Sequence, residues 1–267
     1  MGNIKVVSFS AEKGGAGKTQ GAMDFAEFLA FRGHKVALLD LDFSINLTTN
    51  YNVYNSSGLA DNIFNGSKEK IELIDVKPNL KLIPGSTRLQ SLNNDIQNKP
   101  NKDLLLFMWL MDNEGMFEDI EYLIIDTHND FSTITRNAIA ISNVVFSPIE
   151  PTRNSIYGKT NMDTQMEDFR KELVDPITRI SYVNAKIVYY LNKIKHNTKV
   201  SRQLVEDTKN MDDVVAIVQS RELLNKMLFE GKTFLEAYQN KDFPREQKFI
   251  EDYMESLEKF KSILDNA

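Results

Sequence analysis

Short apolar runs rich in β-branched residues alternate along this chain with longer stretches in which apolar residues recur at helical spacing. Several of the short runs are almost entirely apolar, which is typical of strands covered by helices on both faces. The alternation therefore predicts an α/β fold with a mostly parallel, twisted sheet of about seven strands flanked by helices. The predicted strands span residues 4–9, 36–39, 80–83, 122–125, 144–148, 186–191 and 214–218.

Two helical stretches stand out in the same pattern. The first covers residues 19–32 and ends at Gly33, a residue suited to the left-handed cap of a helix. The second covers residues 245–264 and is amphipathic, with acidic residues opposite its apolar face, which we expect to pack on the core. That apolar face consists of Phe249, Tyr253, Leu257, Phe260 and Leu264. Since no linker-like segment interrupts the chain, we predict a single domain over residues 1–267.

Composition narrows the class of protein only in part. The 267 residues have a formal net charge of −6, which disfavours a protein that coats nucleic acid with its whole surface but leaves a local basic face open. The absence of cysteine excludes disulfides, thiolate metal sites and Cys-ligated iron–sulfur clusters. No apolar run approaches the roughly 20 residues that span a bilayer, and no signal peptide is visible. We therefore expect a soluble cytoplasmic protein.

The strongest chemical signal lies between the first predicted strand and the first predicted helix. Residues 12–19 read E-K-G-G-A-G-K-T, which matches the phosphate-binding loop G-x-x-x-x-G-K-[ST] except that Glu12 replaces the first glycine. Glycines allow backbone conformations in which successive N–H groups point at phosphate oxygens near the positive end of a helix. Lys18 would then reach the β- and γ-phosphates, and the Thr19 hydroxyl would bind Mg²⁺.

The variant K-G-G-x-G-K-T is that of the ParA/MinD superfamily of deviant Walker A P-loop NTPases, and this chain resembles the ParA-type partition ATPases over most of its length. Residues 35–48 resemble the family's strand ending in D-x-D, residues 122–127 its Walker B strand, and residues 190–193 its strand ending in Asn. The resemblance implies a P-loop NTPase fold and an ATPase whose cofactors are ATP and Mg²⁺. Weaker likenesses lie at residues 80–85, 147–151, 218–221 and 230–236.

Three acidic residues are candidates for the chemistry beside this loop. Carboxylates at the ends of neighbouring parallel strands can hold Mg²⁺ directly or through water, so Asp40 and Asp126 are predicted to act at the metal with Thr19. By the family's pattern, Asp42 orients the attacking water, and Lys13 reaches the ATP of a partner subunit to neutralise transition-state charge. The predicted catalytic residues are Lys13, Lys18 and Asp42. The predicted nucleotide-binding residues are Lys13, Gly14, Gly15, Ala16, Gly17, Lys18, Thr19, Gln20 and, near the base by resemblance, Asn192.

The resemblance also implies partners. It predicts a homodimer that forms on ATP binding, associates with nucleoid DNA without sequence preference, and is stimulated to hydrolyse ATP by a centromere-bound, ParB-like adaptor. Such DNA binding needs a basic face that contacts phosphates, although an ordinary solvated surface is the alternative interpretation of any one lysine. The predicted DNA-binding residues are Lys193, Lys195, Lys199, Arg202 and Arg221, with Lys186, Lys209, Lys226 and Lys232 nearby.

Three segments depart from the family's pattern. Residues 43–45 read F-S-I in place of P-Q-G, Gln20 replaces a common second Thr, and residues 128–130 read H-N-D in place of prolines. These switch-like segments respond to the γ-phosphate, so the departures bear on hydrolysis rate and partner coupling more than on nucleotide binding. A metal cluster around His128 is conceivable, but a chain with three histidines and no cysteine favours an incidental loop histidine.

Residues 89–119 match no segment that we can assign. They contain the single tryptophan, and we expect an apolar helix face there that packs on the core or contacts a partner. The residues of that predicted face are Leu104, Leu105, Met108, Trp109 and Met111.

Two other functions remain open at this stage. A MinD-like membrane-surface ATPase would need Lys and Arg on the polar face of its C-terminal helix, and the acidic face found here predicts no membrane partner. A weakly hydrolysing regulatory relative would suit the altered switch segments. Iron–sulfur carriers are excluded by the lack of bridging cysteines. Small-molecule kinases or ligases of this fold would need an acceptor pocket, which the sequence neither identifies nor excludes.

Overall fold

Eight strands form one continuous sheet in the computed structural model, which describes residues 4–53, 57–67, 69–229, 233–240 and 243–267. The strands of this described part are β1 (Lys5–Phe9), β2 (Val36–Leu41), β3 (Ile74–Lys77), β4 (Leu80–Ile83), β5 (Tyr122–Thr127), β6 (Val144–Ile149), β7 (Lys186–Ile194) and β8 (Val214–Gln219). Their order across the sheet is β3-β4-β2-β5-β1-β6-β7-β8, and every neighbouring pair is parallel except β3 and β4. The prediction of a mostly parallel α/β sheet is confirmed.

The strand that the sequence analysis missed is β3, at one edge of the sheet. It pairs antiparallel with β4 across Pro78 and Asn79, and Asn79 adopts a φ of 62° in the turn. The four residues of β3 are only partly buried or exposed, so they do not form the apolar run that predicted the other strands. A Pro-Asn pair between two short runs is a turn signal that could have found this hairpin.

Helices cover both faces of the sheet. They are α1 (Lys18–Phe31), α2 (Asn46–Asn50), α3 (Asn62–Asn65), α4 (Leu89–Asp95), α5 (Leu105–Asp112), α6 (Thr133–Ile141), α7 (Ser155–Glu172), α8 (Lys199–Thr208), α9 (Glu222–Phe229), α10 (Phe234–Asn240) and α11 (Gln247–Asp265). Helices α1, α10 and α11 share one apolar cluster with the sheet, and α3 to α6 contribute to the cluster on the other face. This double cover explains why the central strands are apolar on both sides.

The C-terminal helix α11 packs its apolar face on α1 and the sheet. The Phe260 ring stacks on Phe146 with centroids 4.4 Å apart and meets Phe25 of α1 edge-on at 6.0 Å. All five apolar residues predicted for this face are buried, whereas Glu251, Asp252 and Glu255 are exposed. Burial of aromatic side chains of this size dominates the packing energy of such a face. The apolar side of α11 is therefore already covered within one chain.

The apolar face predicted in residues 89–119 packs on the core only in part, through the half-buried Leu105 and Trp109. Contact of the rest of that face with a partner stays a prediction. In α5 the buried residues are Leu106 and Leu110, whereas Met108 and Met111 are exposed. The Leu106 N–H also donates to Asn137 Oδ1 on α6 over 3.0 Å, which fixes the rotation of the helix. Seven of the eight residues of α5 are apolar, so their spacing does not distinguish a buried face from an exposed one.

Parts of the sequence analysis fall on residues that the structure leaves undescribed. Glu230, Gly231 and Lys232, which contribute to the weakest family likeness, lie outside the described residues, as does the side chain of Lys226. Within the described residues, no helix combines the length and the apolar character needed to cross a bilayer.

Candidate functional site

The register of three strands brings the acidic candidates and the glycine-rich loop to one edge of the sheet. Asp40 of β2 pairs with Asp126 of β5, and Asp126 pairs in turn with Phe9 of β1. The loop of residues 10–17 leaves β1 directly after Phe9 and leads into α1. The sequence prediction that both aspartates end neighbouring strands beside this loop is confirmed by the register.

The loop has the backbone shape that an anion nest requires. Gly15 and Gly17 adopt left-handed conformations with φ of 79° and 94°, which a residue with a Cβ rarely adopts. Gly17 precedes the first turn of α1, where no side chain caps the helix, so the N–H groups of that turn are available to a ligand. The side-chain amide of Asn192 donates to the Ala16 carbonyl over 2.7 Å and holds the loop from β7.

Lys18, the first residue of α1, is a buried cation surrounded by acidic groups. Its exposed fraction is 5 %, and burial lowers its pKa, while the charges of Asp126, Asp42 and Asp130 oppose that change. An anion bound in the loop would act in the same direction as these carboxylates and favour the charged form of the lysine. Gln20, two residues further along α1, lowers the pKa of Asp24.

Asp126 is a fully buried carboxylate without a hydrogen-bond partner. Neither of its oxygen atoms accepts a hydrogen bond from any residue that the structure describes. Burial, and next the neighbouring charge of Asp40, raise its pKa well above the usual range, while the side chain of Thr19 opposes the rise. A carboxylate held in this way fits a divalent cation, which would replace the missing partners. No group of three or more His, Asp or Glu side chains within the described chain forms an all-protein metal cage.

Asp40 is equally buried but has partners on both oxygens. Its Oδ2 accepts from the backbone N–H and the hydroxyl of Thr48 over 2.9 and 2.6 Å, and its Oδ1 accepts from the Asp42 N–H over 3.1 Å. Burial raises its pKa to about 6 although these hydrogen bonds oppose the rise. A Cβ at Gly85 would lie 2.8 Å from Asp40 Cγ, so only glycine lets the end of β4 approach this closely. Asp40 thus anchors the segment that leads to α2.

Asp42 lies beside His128, for which the sequence analysis favoured an incidental loop histidine over a metal cluster, and the contact gives this histidine a defined partner. His128 Nδ1 lies 3.0 Å from Asp42 Oδ1, and the same oxygen accepts the Ser44 N–H over 2.8 Å. The imidazole also stacks on Phe43, with centroids 4.4 Å apart and planes 13° from parallel. Two of the segments that depart from the family's pattern therefore contact each other at the predicted water-orienting residue.

Glu150, which follows the last residue of β6, is a carboxylate that the sequence analysis missed. It contacts two lysines. Its Oε2 lies 3.4 Å from Lys13 Nζ, and its Oε1 lies 2.8 Å from Lys193 Nζ. Lys193, predicted to contact DNA, also donates to the Gly15 carbonyl and so belongs to the phosphate loop. Glu150 directly follows an apolar strand that ends at the same sheet edge, and this position is the signal that could have found it.

Two clefts open at this edge of the sheet, and the first of them adjoins the loop. One, of about 460 Å³, lies between the loop and α7 and is lined by Lys13, Glu150, Arg153 and Tyr157 among others. The other, of about 500 Å³, lies at the ends of β7 and β8; its lining includes Lys195, His196, Thr198 and Arg221.

The five residues predicted to bind DNA are thus divided among three places. Lys193 contacts the phosphate loop, and Lys195 and Arg221 line the cleft at β7 and β8. Lys199 and Arg202 are exposed on α8.

Comparison with known proteins shows the family of this chain and several partition proteins to which it is similar. The family described as "AAA domain" matches residues 4–179. The chromosome-partitioning ATPase Soj of Treponema pallidum is 25% identical over 158 residues, which cover 58% of this chain and 61% of that protein. A plasmid partition protein from Borrelia burgdorferi has a similar structure, with a TM-score of 0.71 at 20% identity, and the alignment covers 90% of this chain and 99% of that one. The ATP complex of a McdA variant from Cyanothece gives a TM-score of 0.77 at 15% identity, with 96% of each chain covered.

Proposed function

We propose that this chain, which belongs to the family described as "AAA domain" and resembles ParA-like partition proteins, binds and hydrolyses Mg-ATP to drive DNA partition. The observation that carries the proposal is the buried, partnerless Asp126 in register with Asp40, beside a glycine loop whose helix start is uncapped. A buried carboxylate without partners lowers the free energy of unfolding, so this arrangement does not stabilise the chain by itself.

The backbone of the loop and four side chains near it would bind the nucleotide and its metal ion. The N–H groups of residues 14–19 face the phosphates, and Lys18 supplies a buried positive charge. Thr19 and Asp126 would hold Mg²⁺, and Asp40 would act through water, since its oxygens already accept three hydrogen bonds. When bound, Mg²⁺ neutralises charge on the β- and γ-phosphates.

Hydrolysis in this proposal depends on two further residues. Asp42 orients the attacking water, and Lys13 acts on the ATP of a second copy of the chain, which makes turnover depend on dimerisation. The Lys13 side chain is 58% exposed and, among the residues that the structure describes, is paired only with Glu150 at 3.4 Å, so it can leave its own subunit at little cost.

The cleft at the ends of β7 and β8 suits the base of the nucleotide. It lies at the same sheet edge as the loop, where ligands of open α/β sheets bind. In this proposal Asn192, Lys195 and Arg221 border the nucleotide. The exposed basic residues Lys199 and Arg202 then remain as candidates for non-specific contact with DNA phosphates.

The experiment that tests the function compares DNA retardation with ATP, ADP and no nucleotide, alongside ATP turnover with DNA and a ParB-like adaptor. We expect retention only with ATP, weakened by salt, and turnover that the adaptor stimulates. Lys18→Ala should abolish nucleotide binding, whereas Lys13→Ala should bind ATP without turnover. Retention that ignores nucleotide and salt, or a failure to bind Mg-ATP in calorimetry, would overturn the proposal.

The alternative of a MinD-like membrane-surface ATPase lacks a free lipid-binding face on α11. The apolar residues of that helix are buried against α1 and the sheet, with Leu257 and Leu264 at 0% exposure. A helix that binds lipid needs its apolar face exposed to the bilayer. Co-sedimentation with liposomes in the presence of ATP is the corresponding test, and we expect no binding.

A further inference from the structure

The Asp42 carboxylate is held on one oxygen only. Its Oδ1 accepts the Ser44 N–H over 2.8 Å and lies 3.0 Å from His128 Nδ1, whereas its Oδ2 receives no hydrogen bond from the residues that the structure describes. The Asp42 side chain is 8% exposed, so few orientations are open to it once Oδ1 is fixed. The free oxygen, Oδ2, is therefore the one left to act on a ligand or a water molecule.

The partner atoms settle the direction of the hydrogen bond from His128. A carboxylate oxygen that carries no proton can only accept, so the imidazole donates to Asp42 from Nδ1. The proton on Nδ1 is assigned from this contact with Asp42.

The imidazole is itself fixed by the elements that carry it. His128 directly follows β5, and the hydroxyl of the preceding Thr127 donates to the Phe9 carbonyl at the end of β1 over 2.9 Å. The Phe43 ring, next to Asp42 in the chain, stacks on the imidazole and sets the plane of the ring. Such a side chain is rigid enough to orient another.

We propose that His128 is a positioning residue for hydrolysis, which holds Asp42 through Oδ1 so that Oδ2 faces the attacking water, with Phe43 holding the imidazole in place. The inference rests on the proposed ATPase function. It gives the two departures from the family's pattern, at residues 43 and 128, one shared role at the site.

The test uses three variants of His128 in the full chain. The Nδ2 of Asn can occupy the position of the imidazole Nδ1, whereas the Nε2 of Gln corresponds to the imidazole Nε2. We expect His128→Ala and His128→Gln to lower kcat about 10- to 100-fold with KM for ATP changed less than twofold, and His128→Asn to recover most of the loss. Phe43→Leu should lower kcat less, and its effect should be smaller when His128 is already Ala.

Two controls separate the possible failures. If the wild-type chain binds Mg-ATP in calorimetry but does not turn it over with DNA and adaptor, the proposed function fails. If the wild type hydrolyses ATP and all three variants keep its kcat, or all three lose kcat equally, only the role of His128 fails. Should His128→Ala not fold, the comparison of Asn with Gln still decides.

A spectroscopic measurement is independent of turnover. Long-range ¹H–¹⁵N correlation of the imidazole should show the proton on Nδ1 in the nucleotide-free wild type. A ring with its proton on Nε2 and none on Nδ1 would contradict the hydrogen bond to Asp42 and overturn the inference.

Discussion

The charged residues on the two sides of the phosphate loop differ in their burial and in their pairing. We call the side at the ends of β2 and β5 the first half, and the side at the ends of β6 and β7 the second half. At the ends of β2 and β5, Lys18, Asp40 and Asp126 are almost fully buried, and Asp126 has no partner among the described residues. At the ends of β6 and β7, Lys13, Glu150 and Lys193 form ion pairs that are partly exposed to solvent. Buried charges are costly and fixed, whereas exposed pairs are weak and easily rearranged. The first half is thus prepared for a ligand, and the second can exchange partners.

The largest effect is expected from removing the buried charge of Asp126. Because burial and Asp40 raise its pKa, the folded chain resists its ionisation, and Asp126→Asn should raise the melting temperature without nucleotide. The same change should lower ATP turnover more than 100-fold, since the amide is a poor ligand for Mg²⁺. Thermal unfolding and turnover on the same sample check both. If Asp126→Asn instead lowers the melting temperature and leaves turnover normal, the buried aspartate is not a ligand site, and the contrast between the two halves fails.

Asp24 is a buried carboxylate that lies away from the loop, so a substitution there tests the cost of burying a carboxylate without touching the nucleotide site. Burial raises the pKa of Asp24, on α1, from 3.8 to about 7, although the side chain of Gln20 and the hydrogen bond from Tyr253 oppose the rise. Glu27 also raises the pKa of Asp24, and Lys77 lowers it. The folded state therefore keeps the proton up to about pH 7 and the unfolded state loses it near pH 4, so stability falls as pH rises between these values and the full cost applies above pH 7.

Asp24→Asn should remove this cost. We expect the free energy of unfolding to rise by about 1–3 kcal/mol at pH 8, with a smaller gain at pH 5.5. Denaturant unfolding at the two pH values measures the difference. An equal gain at both would show that Asp24 is not protonated in the folded chain.

The hydrogen bonds on Asp40 can be tested through Thr48. Thr48→Val removes one donor to Asp40 and the acceptor of the Gly85 N–H, which lies 2.7 Å from the Thr48 hydroxyl. Leaving buried groups unpaired should cost about 1–3 kcal/mol of stability in denaturant unfolding. The neighbouring Thr49→Val, at an exposed position of α2, is the matched control; it removes a solvent-exposed hydrogen bond to the Ile45 carbonyl and should cost less than Thr48→Val. Equal losses in both variants would contradict the anchoring role of Asp40.

The smallest effect on stability is expected in the exposed half. Glu150→Gln weakens the contacts to Lys13 and Lys193, and partly exposed pairs contribute about 1 kcal/mol or less. We expect nearly unchanged unfolding but a rise of about two- to fivefold in turnover at low protein concentration, because Lys13 leaves its own subunit more easily. Sedimentation and turnover across protein concentrations measure this. A loss of more than about 2 kcal/mol would show that Glu150 belongs with the fixed charges.

The parts of the molecule that sequence patterns predicted are those with one dominant local signal. The central strands β2, β5 and β6 follow from burial on both faces, and the loop follows from glycines that only a left-handed backbone requires. The pairing of Asp40 with Asp126 could be expected because parallel strands end at one edge.

The parts that were missed depend on contacts between distant segments. The bridge from Glu150 to Lys13 and Lys193 joins three separate strand ends, and no spacing in the chain reveals it. His128 was judged by residue counts, although its neighbour Asp42 comes from another strand. The rotation of α5 is set by Asn137, which lies on a different helix. Local periodicity does not contain such information.

Asn192 and Lys193 are consecutive residues near the end of β7, and each donates a hydrogen bond to a different carbonyl of the glycine loop. One strand thus forms a wall of the cleft beside β8 and also supports the floor of the phosphate loop. A ligand that enters this cleft and shifts the end of β7 will therefore also move the glycine loop. The base and the phosphates of a bound nucleotide would then act on the same strand end, and the cleft and the loop would move together before any change reaches the rest of the sheet.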